Sequence, residues 1–193
     1  MSNLKQASLL KASGLCGIAG PFIVISLIFF AILRSPWFSW TKNALSDLGV
    51  HGVTALLFNS SLVIGGTLTI IFATGLRKIL VKSTLGLVGS ILLTLDAADL
   101  IAIGIFPETA GVIHLYVSVI FFALLPISLF FIGSSVILKA SERSYGAFTI
   151  LAGIFAAIVW ALPRGGAAIP EILAALAASI WSIVSGIKIL RQA

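Results

Sequence analysis

The stretch "NALSDLGVHG", residues 43–52, places Ser46, Asp47 and His51 close together in an otherwise apolar chain. A hydroxyl group beside a carboxylate can take part in proton transfer, and carboxylate and imidazole groups bind divalent metals. The pattern therefore makes Ser46 and Asp47 candidate catalytic residues. Asp47 is also a candidate metal ligand, and His51 is a candidate pocket residue.

A second set of reactive side chains lies in the middle of the chain. Asp96 and Asp99 are three positions apart, so a helix would present both on one face. An ionised carboxylate near the centre of a bilayer costs about 2.5–3.5 kcal/mol, so this pair must face water, a cation, a donor or the bundle interior. Glu108 is a third candidate for proton transfer. The candidate ligands of a divalent metal are Asp47, Asp96, Asp99 and His114.

The composition indicates which elements must position these groups. The chain has 193 residues, of which 60% are hydrophobic and 9% are charged, whereas about a quarter of an average soluble domain is charged. Six apolar runs are each about as long as a membrane-spanning helix. They lie at roughly 13–33, 54–76, 84–104, 112–136, 146–162 and 168–187. We predict an all-α membrane protein, in which residues 1–193 form one compact bundle of six transmembrane helices with short loops.

The distribution of basic residues predicts the orientation. If the N-terminus is inside, nine of the 12 Lys and Arg residues fall on the inner side. We predict that the chain spans the cell membrane several times. The positive-inside rule then places both termini in the cytoplasm. The basic residues lie singly or in threes between apolar runs, and this pattern argues against a nucleic-acid partner. A single cysteine excludes an intrachain disulfide.

This topology brings most of the polar side chains to the outer side. Five of the six acidic residues and both histidines fall there. We predict an outward-facing polar pocket with residues 43–52 as its lid, Asp96 and Asp99 as its floor and His114 in its wall. Further candidate pocket residues are Asn59, His51 and Arg164.

Several short motifs carry a family resemblance. "NALSDLG" is followed by "LFN" in the second apolar run, then by "GIFPE" and a histidine at the start of the fourth. This pattern resembles the DUF998 family of prokaryotic polytopic membrane proteins, from the first helix to at least the fourth. The matching positions are Ser46, Asp47, Leu48, Gly49, Asn59, Phe106, Pro107 and His114. The resemblance implies a bundle in a prokaryotic plasma membrane, and it implies no reaction, because the family's function is unknown.

Four functions remain open at this point, and whether the chain is an enzyme is among the open questions. The first is a lipid-modifying enzyme assisted by a divalent metal, or a lipid-binding protein, with membrane lipids as partners. The second is an accessory or structural subunit among other membrane subunits. The third is a b-type haem protein with His51 and His114 as axial ligands, which a loop position for His51 disfavours. The fourth is a transporter or proton relay through Asp96 and Asp99, although no inverted repeat is evident.

Overall fold

Six long helices and their short connections make up the computed structural model, which describes residues 3–162 and 165–193. The helices are α1 (Asn3–Leu33), α2 (Gly52–Leu80), α3 (Thr84–Ile105), α4 (Val112–Val136), α5 (Arg143–Ile158) and α6 (Ala168–Leu190). The described residues contain no strand. Six segments are long and apolar enough to cross a membrane, and the fifth of these, Ala140–Ala161, includes the 3-10 turns that flank α5. The predicted all-α fold class is therefore confirmed.

The apolar runs underestimate the length of two helices. Helix α1 begins at Asn3 rather than at residue 13, and α2 continues to Leu80 rather than ending at residue 76. The added turns contain basic side chains, which a search for apolar residues passes over. Arg77 and Lys78 occupy the last turn of α2, where cations interact favourably with the free backbone carbonyls.

The helices form a closed ring in sequence order. Each helix packs against the next one, and α6 packs against α1. Because the helices are six in number, both chain termini lie at one end of the bundle, which we call the terminal end. The lid segment (residues 43–52) lies at the opposite end, which we call the distal end. Assignment of the terminal end to the cytoplasm stays a prediction.

Glycines let neighbouring helices in the ring approach closely. A Cβ atom added to Gly14 would lie 2.7 Å from the Leu190 side chain, and one added to Gly186 would lie 2.7 Å from the Gly14 carbonyl oxygen. Lipid-embedded helices gain little from the hydrophobic effect when they associate, so close backbone packing of this kind contributes much of their association energy.

The terminal half of the bundle is densely packed. Phe72, Leu129 and Ile132 are fully buried, and the Phe72 and Trp181 rings make an edge contact with centroids 5.7 Å apart. Buried polar groups find partners there, since Trp181 Nε1 donates a hydrogen bond to Thr149 Oγ1 over 3.1 Å. Near the terminal end, Lys188 Nζ lies 2.5 Å from Glu142 Oε2.

Candidate functional site: a covered internal cavity

The lid segment is tied to two helices at the distal end. It contains a 3-10 turn, Leu45–Gly49, whose residues Leu45 and Leu48 are buried. The Leu45 amide donates to Glu171 Oε2 over 2.6 Å, which links the turn to α6. Asn59 Nδ2 donates to the Gly49 carbonyl over 2.9 Å, which links it to α2. These bonds hold the predicted lid against the bundle.

Asp47 stabilises the lid from within. Its Oδ2 atom accepts hydrogen bonds from Asn43 Nδ2 at 2.6 Å and from the Ala44 amide at 3.2 Å. The short side chain thereby satisfies backbone and amide donors at the start of the turn. Asp47, which was predicted as a catalytic residue and a metal ligand, therefore has hydrogen-bond partners within the lid.

Glu108 lies beside Asp47 in the connection between α3 and α4. Partial desolvation, a hydrogen bond with Asp47 and the charges of Asp47 and Glu171 together raise the pKa of Glu108 from the usual 4.5 to about 7. A protonated Glu108 donates a hydrogen bond to the Asp47 carboxylate. The two acids thus bind one another through a shared proton.

Beneath the lid lies a cavity of about 150 Å³ that five of the six helices line. Its walls are mainly aliphatic and aromatic, with residues such as Val24, Leu62, Leu100 and Phe121. Phe72, Trp181 and Leu125 line its deep end. Ser46 and Glu171 line the end next to the lid. The cavity is therefore mainly apolar, with a few polar groups placed along its length, including Thr69 and Ser182 near Phe72 and Trp181.

Asp96 is the acidic group deepest in this cavity. It lies more than two helical turns before the end of α3, and only 3% of its surface is exposed. Its Oδ1 atom has no hydrogen-bond partner among the described residues. Asp99 has a similar orphaned oxygen, Oδ2, but it does not line the cavity. Asp96 and Asp99 were predicted to form the floor of the pocket together. In the structure only Asp96 lines the cavity, and it lies in the wall.

His114 also lines the cavity, and both of its ring nitrogens have partners. Nδ1 lies 2.8 Å from the Phe106 carbonyl oxygen, and Nε2 lies 3.3 Å from Ser118 Oγ. A carbonyl only accepts, so Nδ1 carries the proton and Nε2 accepts from the serine hydroxyl. His114 therefore links the end of α3 to the first turns of α4.

The predicted metal ligands are not gathered at one point. In the described part of the chain, no group of three or more His, Cys, Asp or Glu side chains is arranged to hold a metal ion. Asp47 holds the lid, while Asp96 and His114 line the cavity and Asp99 lies outside it. These residues do not fit a divalent metal, so that interpretation stays a prediction without structural support.

The remaining predicted pocket residues divide among different places. Asn59 bonds the lid, as described above. His51 lines a separate surface cleft with Trp37 and Thr54, so it does not share a cavity with His114. The haem interpretation gains no support from this arrangement. Arg164 lies outside the described residues.

Sequence reasoning left Glu171, Phe72 and Trp181 out of the candidate site. An acid in the first turn of an apolar helix is a recognisable signal, so the position of Glu171 was open to detection. No such signal marked Phe72 and Trp181, since each is one of many apolar residues on its helix.

The fold defines a multi-pass helical membrane protein with a covered internal cavity. The family model described as "Protein of unknown function (DUF998)" matches residues 18–188, and the chain belongs to that family. This match extends the resemblance beyond helix α4 through α5 and most of α6. Comparison with the curated proteins and with the solved structures gives no match.

Proposed function

We propose that this chain is a lipid-binding membrane protein that holds an alkyl segment of an amphipathic molecule in its internal cavity. The observation that carries the proposal is the cavity of about 150 Å³, whose walls are mainly apolar and include a few polar groups. Binding pockets for small molecules are usually of this kind, with mainly apolar walls and a few placed polar groups.

The mixed lining matches the two parts of an amphiphile. An alkyl chain beside Phe72, Leu93 and Leu125 would regain the dispersion contacts that the walls of an empty cavity lack. The polar groups beneath the lid, such as Ser46 and Glu171, would face the head group.

The bonds that hold the lid favour a ligand that enters from the membrane rather than through the distal surface. Leu48 is fully buried beneath the distal surface. Three hydrogen bonds hold the lid to α2 and α6, through Asn59, Glu171 and the Ala168 amide, which donates to the Asn43 carbonyl over 2.9 Å. An amphiphile dissolved in the bilayer can instead reach the cavity between helices. The accessory-subunit and enzyme interpretations remain predictions that no contact in the described residues favours.

The test compares two phenylalanine substitutions. Ala178 lines the cavity on α6, so Ala178→Phe fills it, whereas Ala157 is exposed on α5 and Ala157→Phe adds the same ring to the lipid-facing surface. Each protein is purified in mild detergent, and bound lipid is quantified by native mass spectrometry and by extraction.

We expect a lipid bound near one per chain in the wild type and in Ala157→Phe, and about tenfold less in Ala178→Phe. Gel filtration and thermal melting establish that both variants are folded. Equal lipid content in all three folded proteins, or no bound lipid in any of them, would overturn the proposal.

A further inference from the structure

Carboxyl and hydroxyl groups supply the polar part of the cavity lining. The Asp96 side chain is buried in the wall with Oδ1 unpartnered among the described residues, and Glu171 contributes a second carboxyl group at the distal end. The proton on His114 is already committed to the Phe106 carbonyl. No Lys or Arg is among the described residues that line the cavity. A head group that enters this space meets acceptors and negative charge.

The charge balance favours a cation as the occupant. Burying an ionised carboxylate is costly unless an opposite charge and a hydrogen-bond donor accompany it. Within the described residues the buried Asp96 side chain pairs with no cation, and its Oδ1 atom accepts no hydrogen bond. Asp99 is a second carboxyl group nearby on the same helix. An anionic phosphate head group would meet like charge at this point and would leave the orphaned acceptor unsatisfied.

We infer that the cavity selects an amphiphile with a primary ammonium group, whose N–H donates to the Asp96 carboxylate while the alkyl chain lies toward Phe72 and Trp181. The inference rests on the proposed lipid-binding function and specifies its ligand class. An ammonium N–H to a carboxylate is a charge-assisted hydrogen bond, roughly twice as strong as a neutral one. A neutral alcohol of the same chain length supplies a donor but no charge.

The experiment uses three C12 compounds that differ only in the head group: dodecylamine, dodecanol and dodecyl phosphate. Their binding to the full-length protein in detergent is measured by native mass spectrometry at equal concentrations. Asp96→Asn removes the acceptor charge in the cavity wall. Asp99→Asn makes the same change one turn away, at a residue that does not line the cavity, and it serves as the matched control.

We expect the wild type to bind dodecylamine about tenfold more tightly than the other two compounds. Asp96→Asn should lose this preference, and Asp99→Asn should keep it. Gel filtration and thermal melting establish that both variants are folded.

Two outcomes would overturn the inference while leaving the proposed function intact. Equal binding of all three compounds, abolished by Ala178→Phe, would show a lipid cavity without head-group selection. Loss of the preference in Asp99→Asn as well would show a general charge effect rather than a bond at Asp96. Absence of binding, or binding that Ala178→Phe leaves unchanged, would overturn both.

Discussion

The terminal and distal halves of the bundle use the same apolar helices in different ways. In the terminal half, polar side chains have partners within the chain: Tyr145 Oη lies 2.8 Å from Ser185 Oγ, and Lys188 pairs with Glu142. In the distal half, a cavity separates the helices, and Asp96 keeps an oxygen without a partner among the described residues. Void space and an unsatisfied acceptor both destabilise a fold, and their presence in one half is the basis of the proposed ligand site.

The largest expected effect comes from removing the side chain between the two halves. Trp181 is 2% exposed, contacts Phe72 and donates to Thr149. Trp181→Ala joins a new void to the existing cavity and should cost about 3–5 kcal/mol of stability. Reversible unfolding in mixed detergent and SDS micelles measures the loss.

Trp37 is the control for that substitution, because it is 54% exposed at the distal surface. Trp37→Ala should change the unfolding free energy little. If Trp181→Ala were as stable as the wild type, the terminal half would not depend on this contact, and the contrast between the halves would fail.

An intermediate effect is expected from loosening the lid. Asn59→Ala deletes the donor to the Gly49 carbonyl, and Gly49 is buried. An unsatisfied buried acceptor costs about 1–3 kcal/mol, so lid opening should become roughly tenfold or more frequent. Hydrogen exchange at the amides of residues 45–50 measures this opening.

Ser60→Ala is the matched change on the next residue of α2, since the Ser60 hydroxyl bonds only within its own helix. It should leave lid exchange unchanged. Equal protection of the lid in Asn59→Ala and in the wild type would mean that the Asn59 bond does not hold it.

The smallest effect concerns the acid pair at the distal surface. The pKa of Glu108 is raised from 4.5 to about 7, so the folded chain holds this proton more tightly than the unfolded chain does. The corresponding contribution to stability is complete below pH 4.5 and is lost as pH rises through about 7. Glu108→Gln should remove this part of the pH dependence and should be the more stable protein at pH 8.

Melting temperatures of the wild type and of Glu108→Gln between pH 4 and pH 8 give the difference curve. Thr109→Ala, an exposed change in the same turn, should retain the wild-type curve. If the difference in melting temperature between the wild type and Glu108→Gln did not change from pH 4 to pH 8, the shared proton between Glu108 and Asp47 would be contradicted.

Sequence reasoning located the polar side of the site better than its apolar side. The sequence predicted residues 43–52 as a lid, Asp96 in the floor and His114 in the wall, because polar groups are conspicuous in an apolar chain, and both Asp96 and His114 line the cavity. The grouping of Asp47 and Asp99 with them was not reproduced, because spacing along a helix gives a face but not the neighbour that the face meets.

The sequence by itself determined the six spans, the short connections and the gathering of polar side chains toward one end. Each of these follows from local composition and from the length that a bilayer demands. Only the tertiary structure decided that the distal half encloses a cavity, that Phe72 and Trp181 line its deep end and that His114 is bound to Phe106 and Ser118. The inner face of an apolar helix is chosen by the packing of its neighbours, and that choice leaves no periodic mark in the sequence.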